Sequence, residues 1–544
     1  LYIDIEEEDT EEDKRNKVYS FWDQTPDLLL EEIFSYLTIR ERYYASLVCR
    51  SWYRAFKLPR VWSTFTLEDN TLTRGKFNYH SGWQYVLDHM RTSTCLNKIG
   101  KNIRSLVFEP MLNFYNLYEF MNMISWYTER QGSDNTSVAG VGTHIHRLKF
   151  TFPCNMANTD DPDSIRLFGT GGKLLEALKR LMRNLRNLRC LELIDLMLDS
   201  KEALHLMDDI CANCTQTLTK LVLINTTRYY CPLLHVGVFI NLNVLVISPQ
   251  NLHEDVIDLI GYTKLEHLHI FQNRYSQKDT TVRLPSRKSW IKMRKNNPHI
   301  KVHFEVESHK PTDILLPIDL LEHGNIPCHS IVLDTPNTQI SPSTILNHGT
   351  FFESTIRVYA FKGLTRYFAP RNFSQRLDEA IVQFCKMCPN LHTLMIRDKI
   401  STATILEIVS TAKNLRCLYV RRYSVLKKCD GDWLKIMNWS PAHYQWIKKN
   451  SCSYASTERE VSKILNYRWY MLTEREFRDQ MSSSDSVILV KLCYQDEKFR
   501  AGDDFLQDEY LYPDQAIYNT RCTEFVHTIL PNIGFLGQIL HAFL

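Results

Sequence analysis

The sequence predicts a mixed α/β chain in three parts: an N-terminal three-helix block, an irregular array alternating strand with helix, and a helical C-terminal region. Three observations predict it. An apolar-rich helical stretch runs from Trp22 to Phe56. A short apolar pattern then recurs between about residue 100 and residue 425, and beyond that the recurrence stops while helical periodicity continues.

The N-terminal block comes first. In "WDQTPDLLLEEIFSYLTIRERYYASLVCRSWYRAF", Leu29, Ile33 and Leu37 repeat at four-residue spacing with Leu30 and Phe34 beside them. That stripe is wider than one short neighbouring helix covers. A second helical run carries Ala45, Val48, Cys49, Trp52 and Phe56, and Pro26 stands where a proline is tolerated at a helix start. So small a block buries too little surface to be more than marginally stable alone, so part of its apolar surface is expected to be an interface.

The array rests on one hexad: apolar, two residues, apolar, one residue, apolar. Clean copies are "IRSLVF" at 103, "IHRLKF" at 145, "LRCLEL" at 188, "LTKLVL" at 218, "LNVLVI" at 242, "LEHLHI" at 265, "LHTLMI" at 391 and "LRCLYV" at 415. Weaker ones are "HIKVHF" at 299, "CHSIVL" at 328 and "IRVYAF" at 356. Spacings of 24, 23, 29, 28 and 24 residues fall in the period of leucine-rich repeats, and spacings of 42, 43, 30, 34 and 35 need insertions. Amphipathic helical stretches lie between copies, starting at Ser200, Leu252, Leu377 and Ser401. Units of this kind bury their faces by stacking, with strands on one side and helices on the other, as a horseshoe-shaped solenoid.

The expected boundaries are therefore an acidic, disordered lead-in over 1–17, the helical block over 18–66, the repeat array with insertions over 67–425, and a cap and tail over 426–544, with a linker signal, "SSSDS", from Ser482. A net charge of +3, 44% hydrophobic and 23% charged residues describe an ordinary globular composition. Neither a nucleic-acid nor a membrane partner is expected. The most apolar window, "TILPNIGFLGQILHAFL", is interrupted by Pro531, Asn532, Gln538 and His541. The chain opens on Leu1, not Met, so whether the N-terminus is complete is left open, and what remains shows no basic-then-apolar leader. Fifteen cysteines without framework spacing suit a reducing compartment, so cytoplasm or nucleus is expected.

"WDxxPDxLLxxIFSYL" followed by "SLVCRSWYRAF" and "PRVW" resembles an F-box, the helical adaptor that docks on Skp1 in cullin-RING ubiquitin ligases. One departure is Thr25, where that family usually has leucine. The order F-box then repeats is similar to F-box proteins whose leucine-rich array captures substrate, and "CPNLHTLMI" from Cys388 is similar to their cysteine-containing repeat type. The resemblance implies Skp1-facing positions at Pro26, Leu29, Ile33, Leu37, Val48, Cys49 and Trp52, although Trp52 and Cys49 also suit the block's own core. It implies a substrate-recognition subunit that reaches a cullin and a RING subunit through Skp1; an alternative is a Skp1-bound scaffold without a cullin.

The residues flanking the second leucine of each hexad are expected to line the open face of the array. They include Arg147, Lys149, Lys220, His267, His269, Lys301, His303, Arg397, Tyr419 and Arg421. The set leans basic, with Tyr419 as an aromatic anchor, and suits an acidic or phosphorylated degron on a protein substrate.

No catalytic residue, cofactor or metal is expected. Cys211/Cys214 and Cys385/Cys388 are too far apart to form a zinc ribbon. "GTGGK" at Gly169 lacks the spacer and the hydroxyl residue of a phosphate loop. His267, His269 and His303 share a strand face, but without acidic neighbours in register they are assigned to the concave surface. The chain is expected to be a non-catalytic adaptor.

Overall fold

The computed structural model describes residues 22, 25–80, 82–111, 113–130, 140–153, 172–273, 276, 285–308, 325–367, 370–437 and 439–479. The acidic lead-in, the linker signal and the C-terminal tail lie outside the described residues. The chain forms two compact units, Leu1–Ser308 with Thr312–Cys328, and His309–Pro311 with His329–Leu544.

The first unit starts with three short helices, α1 (Asp27–Ser35), α2 (Ile39–Ser46) and α3 (Arg50–Ala55). The second helical run is thus not continuous. Thr38 caps α2 in a reciprocal box with Glu41, and Cys49 adopts an extended conformation that breaks the run before α3. Next come β1 (Thr64–Leu67), a hairpin of β2 (Thr73–Asn78) and β3 (Gly82–Leu87), and α4 (His89–Ile99). The unit continues through β4 (Ser105–Phe108), α5 (Phe114–Glu129), β5 (Arg147–Thr151), α6 (Lys173–Asn184), β6 (Cys190–Ile194), α7 (Ser200–Cys214) and β7 (Lys220–Ile224). It ends with β8 (Val244–Ile247), α8 (Glu254–Ile260), β9 (His267–Gln272), α9 (Arg287–Asn296) and β10 (Lys301–Glu307).

Strands β1, β4, β5, β6, β7, β8, β9 and β10 lie side by side in that order, every pair parallel. Each hexad quoted for this unit supplies one strand. The sheet begins earlier than expected, because "TFTL" from Thr64 pairs with β4, Phe65 beside Leu106. The boundary expected at residue 66 therefore falls inside a strand. On the side of the sheet that faces the helices, Phe65 and Phe108 both meet Phe120 of α5.

The second unit contains β11 (Cys328–Asp334), α10 (Pro342–Phe352), β12 (Val358–Lys362), α11 (Asp378–Met387), β13 (Thr393–Ile396), β14 (Ile400–Ser401), α12 (Thr402–Thr411), β15 (Cys417–Val420) and β16 (Val425–Leu426). Strands β11, β12, β13 and β15 form parallel neighbours, and β14 pairs with β16. The helical C-terminal region is α13 (Trp433–Ile436), α14 (Pro441–Asn450), α15 (Tyr454–Leu465) and α16 (Glu474–Asp479). α14 and α15 pack on α12, as an end cap would.

The segment after α15 does something the sequence pattern did not foretell. Leu472 and Phe477 cross to the sheet face opposite the helices and pack on Val332, Val358, Ala360 and Met395, with Tyr419 against the same cluster. Backbone bonds fix the crossing: Leu472 N–H donates to Val420 (2.9 Å) and Arg422 N–H to Leu472 (2.9 Å).

A buried histidine gives this unit a pH dependence. His348 of α10 lies 2.9 Å from the Tyr359 hydroxyl, and burial pushes its pKa from 6.5 down to about 4. The unfolded chain therefore binds this proton at higher pH than the folded one. The contribution is whole above pH ~6.5 and is lost as pH falls toward ~4, a total of about 3 kcal/mol. Denaturant titrations across that range should show the loss for the native chain, and His348→Phe should flatten it.

Candidate functional site

The helical block divides its wide apolar stripe in two. Leu30 and Phe34 turn inward and are fully buried, and Phe34, Val61 and Trp62 form a small core completed by Ile39, Ala45, Trp52, Phe56, Leu58 and Ile99. Arg42 secures this core. Its buried guanidinium donates to the carbonyls of Phe34 (2.9 Å), Leu37 (2.9 Å) and Ser35 (3.2 Å), satisfying the open end of α1, and it lies 5.4 Å from the Trp62 ring centroid. Burial lowers its pKa to about 10, so it stays charged at neutral pH.

The other half of the stripe faces outward. Of the positions expected to meet a partner, Pro26, Leu29, Ile33 and Val48 are exposed, while Leu37, Cys49 and Trp52 are half-buried. Trp52 packs edge-on to Phe34 and donates its indole N–H to the Trp22 carbonyl (3.1 Å), so most of its contacts lie within the block. Leu28, Tyr36, Tyr43, Tyr44, Leu47 and Tyr53 enlarge the exposed patch, with Leu28 at 74% and Leu47 at 64%. Of these, Leu28 and Tyr36 stand one position off the 29, 33, 37 repeat, and Leu47 and Tyr53 one position off Val48 and Trp52. An apolar surface this dense on three short helices is the mark of an interaction site.

Residues 26–64 match the F-box domain family, so the chain carries an F-box domain. F-box domains in general bind Skp1 in SCF ubiquitin ligases. No curated protein matches the chain.

The expected substrate face is not open. Lys149, His267, His269, His303, Arg397 and Arg421 are all buried, and Arg147, Lys220, Lys301 and Tyr419 are only partly exposed. Arg147 (3.1 Å) and Lys220 (3.4 Å) both pair with Glu192. Burial by itself would raise the Glu192 pKa; Lys220, Arg147 and Lys149 outweigh it and hold the carboxyl below its ordinary value. Glu192 was visible in "LRCLEL" as an alternating acidic residue, yet its role needs the neighbouring strands. Tyr419 meets the cluster under Leu472 and Phe477, and Arg421 lies 3.7 Å from Glu474.

Arg397 is likewise not available to a substrate. It is fully buried and donates to the carbonyls of Lys362 (2.6 Å), Thr335 (2.8 Å) and Thr338 (3.0 Å). It follows the last apolar residue of its hexad, at the strand end, where neighbouring chain turns leave carbonyls without ladder partners.

Burial raises Cys211 and Cys214 to about 11 and Cys388 to about 12, and pushes Cys385 up as well. None of Cys211, Cys214, Cys385 and Cys388 is in a disulfide. No helix among the described residues is long and apolar enough to cross a membrane.

Exposed aromatics also gather on the hairpin. Phe77, Trp83 and Tyr85 stand on one face of β2 and β3 and Tyr79 at the tip, each at least half exposed, with Phe77 edge-on to Tyr79 and Trp83.

Proposed function

We propose that this chain is a non-catalytic substrate-recognition subunit of an SCF ubiquitin ligase, working inside the cell, with its parallel sheet built from leucine-rich repeats. The observation that carries the reading is the outward half of the F-box stripe, from Leu28, Leu29 and Ile33 to Leu47 and Val48, exposed beside a core that is already complete. Skp1 covers that surface and links the chain to a cullin and a RING subunit, which supply the chemistry. The chain contributes proximity, holding a protein substrate near the charged E2.

The Glu192 cluster narrows the substrate idea. Arg147, Lys149 and Lys220 already share one carboxylate, so they suit an acidic or phosphorylated ligand less than their sequence positions suggest. The alternative scaffold reading predicts Skp1 binding without a cullin. Reconstitution separates the two: with Skp1, cullin, RING subunit and E2, the full chain should co-purify with the cullin and increase ubiquitin transfer to a captured protein. Skp1 binding with no cullin in the complex would favour the scaffold.

A further inference from the structure

On β9, His267 and His269 stand two residues apart and so share a sheet face. His303 of β10 is the register partner of His269 and projects to the same face. The strand period separates the first two by about 7 Å along the chain, and the neighbouring strand places the third about 4.8 Å to the side. A triangle of that size is within reach of imidazole nitrogens that converge on one point. They do gather: one nitrogen from each ring can be chosen so that all lie within 4.8 Å of one another, and His267 Nδ1 is 3.0 Å from His303 Nε2. Among the described residues this is the one trio of potential ligand groups that converges.

The surroundings favour a fixed, dry site. The three residues are 1%, 2% and 0% exposed. Val244 and Val246 of β8 flank His267 and His269, and Lys301 and Glu305 stand at two-residue spacing either side of His303. A metal ion binds imidazole in its neutral form.

We propose that His267, His269 and His303 bind one divalent transition-metal ion of the zinc class through three imidazole nitrogens. Zinc–nitrogen bonds of ~2.0–2.1 Å in a tetrahedral site put ligand nitrogens about 3.3 Å apart, close to the 3.0 Å of the His267–His303 pair. The rings are stacked, with planes 15–25° apart. Binding turns them toward a common point and replaces the His267–His303 hydrogen bond with two metal bonds. Three nitrogen ligands leave the fourth position to another group. The ion ties β9 to β10, a role separate from the F-box surface.

Cobalt(II) provides the test, because its visible spectrum reports tetrahedral ligation and its near-ultraviolet spectrum reports thiolate. The full chain, stripped with chelator, should take up one cobalt per chain, gain the visible bands without a thiolate charge-transfer band, and lose them to zinc. Zinc should also raise its melting temperature. His269→Gln and His303→Gln should each abolish both effects. A thiolate band, no cobalt uptake by the folded native chain, or equal uptake by a folded His269→Gln variant would overturn the assignment. Should the variants not fold, X-ray absorption on the cobalt-loaded native chain decides: three or more nitrogen neighbours without sulfur are expected, and sulfur in the shell refutes it.

Discussion

Leu29→Asp with Val48→Asp should weaken Skp1 binding by roughly 100-fold or more and leave the stability of the free chain unchanged within about 0.5 kcal/mol. Both side chains are more than half exposed in the free protein, so a carboxylate there stays hydrated and touches no core. In the complex the same carboxylates would replace apolar contacts and lose their water, so the cost falls on association alone. Trp52→Ala is the contrasting variant. Trp52 packs on Phe34 and belongs to the block's core, so its truncation should destabilise the block by about 2 kcal/mol or more and lower Skp1 affinity only as a consequence. Calorimetric titration with Skp1, alongside thermal melting of each free variant, reads both quantities.

Arg397→Met should destabilise the second unit by about 3 kcal/mol or more, with no need of a substrate to reveal it. The substitution keeps roughly the length and apolar bulk of the side chain but removes the donors to the carbonyls of Lys362, Thr335 and Thr338. Arg397 is fully buried, as are Lys362 and Thr335, so the Lys362 carbonyl gains no water in exchange, while the Thr335 carbonyl keeps only the Thr338 N–H (3.0 Å). Urea unfolding of the full chain should show the loss in the transition that reports the second unit. A variant with unchanged midpoint that failed only in substrate capture would return Arg397 to the substrate surface.

The strands were legible because their signal is local. Every hexad quoted from the sequence, clean or weak, supplies a strand of a parallel sheet, and the helical stretches at Ser200, Leu252, Leu377 and Ser401 became α7, α8, α11 and α12. Strands without the hexad were not legible: β1, whose "TFTL" takes its place only through pairing with β4, the β2–β3 hairpin, and the short β14–β16 pair. Which face of the sheet stays open was not legible. Alternation puts Val358, Ala360, Met395 and Tyr419 on one face, but nothing local says that Leu472 and Phe477 will return to cover it. Charge was misread for the same reason: Arg147 and Lys220 look free along the chain and are joined by Glu192 only across strands. The F-box fared better. Its excess of apolar residues called for an interface, and the structure divides that excess between a core around Phe34 and an exposed patch around Leu29 and Leu47.

One measurement bears on the central claim most directly: calorimetric titration of purified Skp1 into the full chain at several temperatures. Burial of the patch from Leu28 to Val48 predicts one-to-one association with a negative heat-capacity change, the sign of apolar surface leaving water. A folded chain that takes up no Skp1, or binds it with no heat-capacity change, would contradict the claim that a second polypeptide covers this surface.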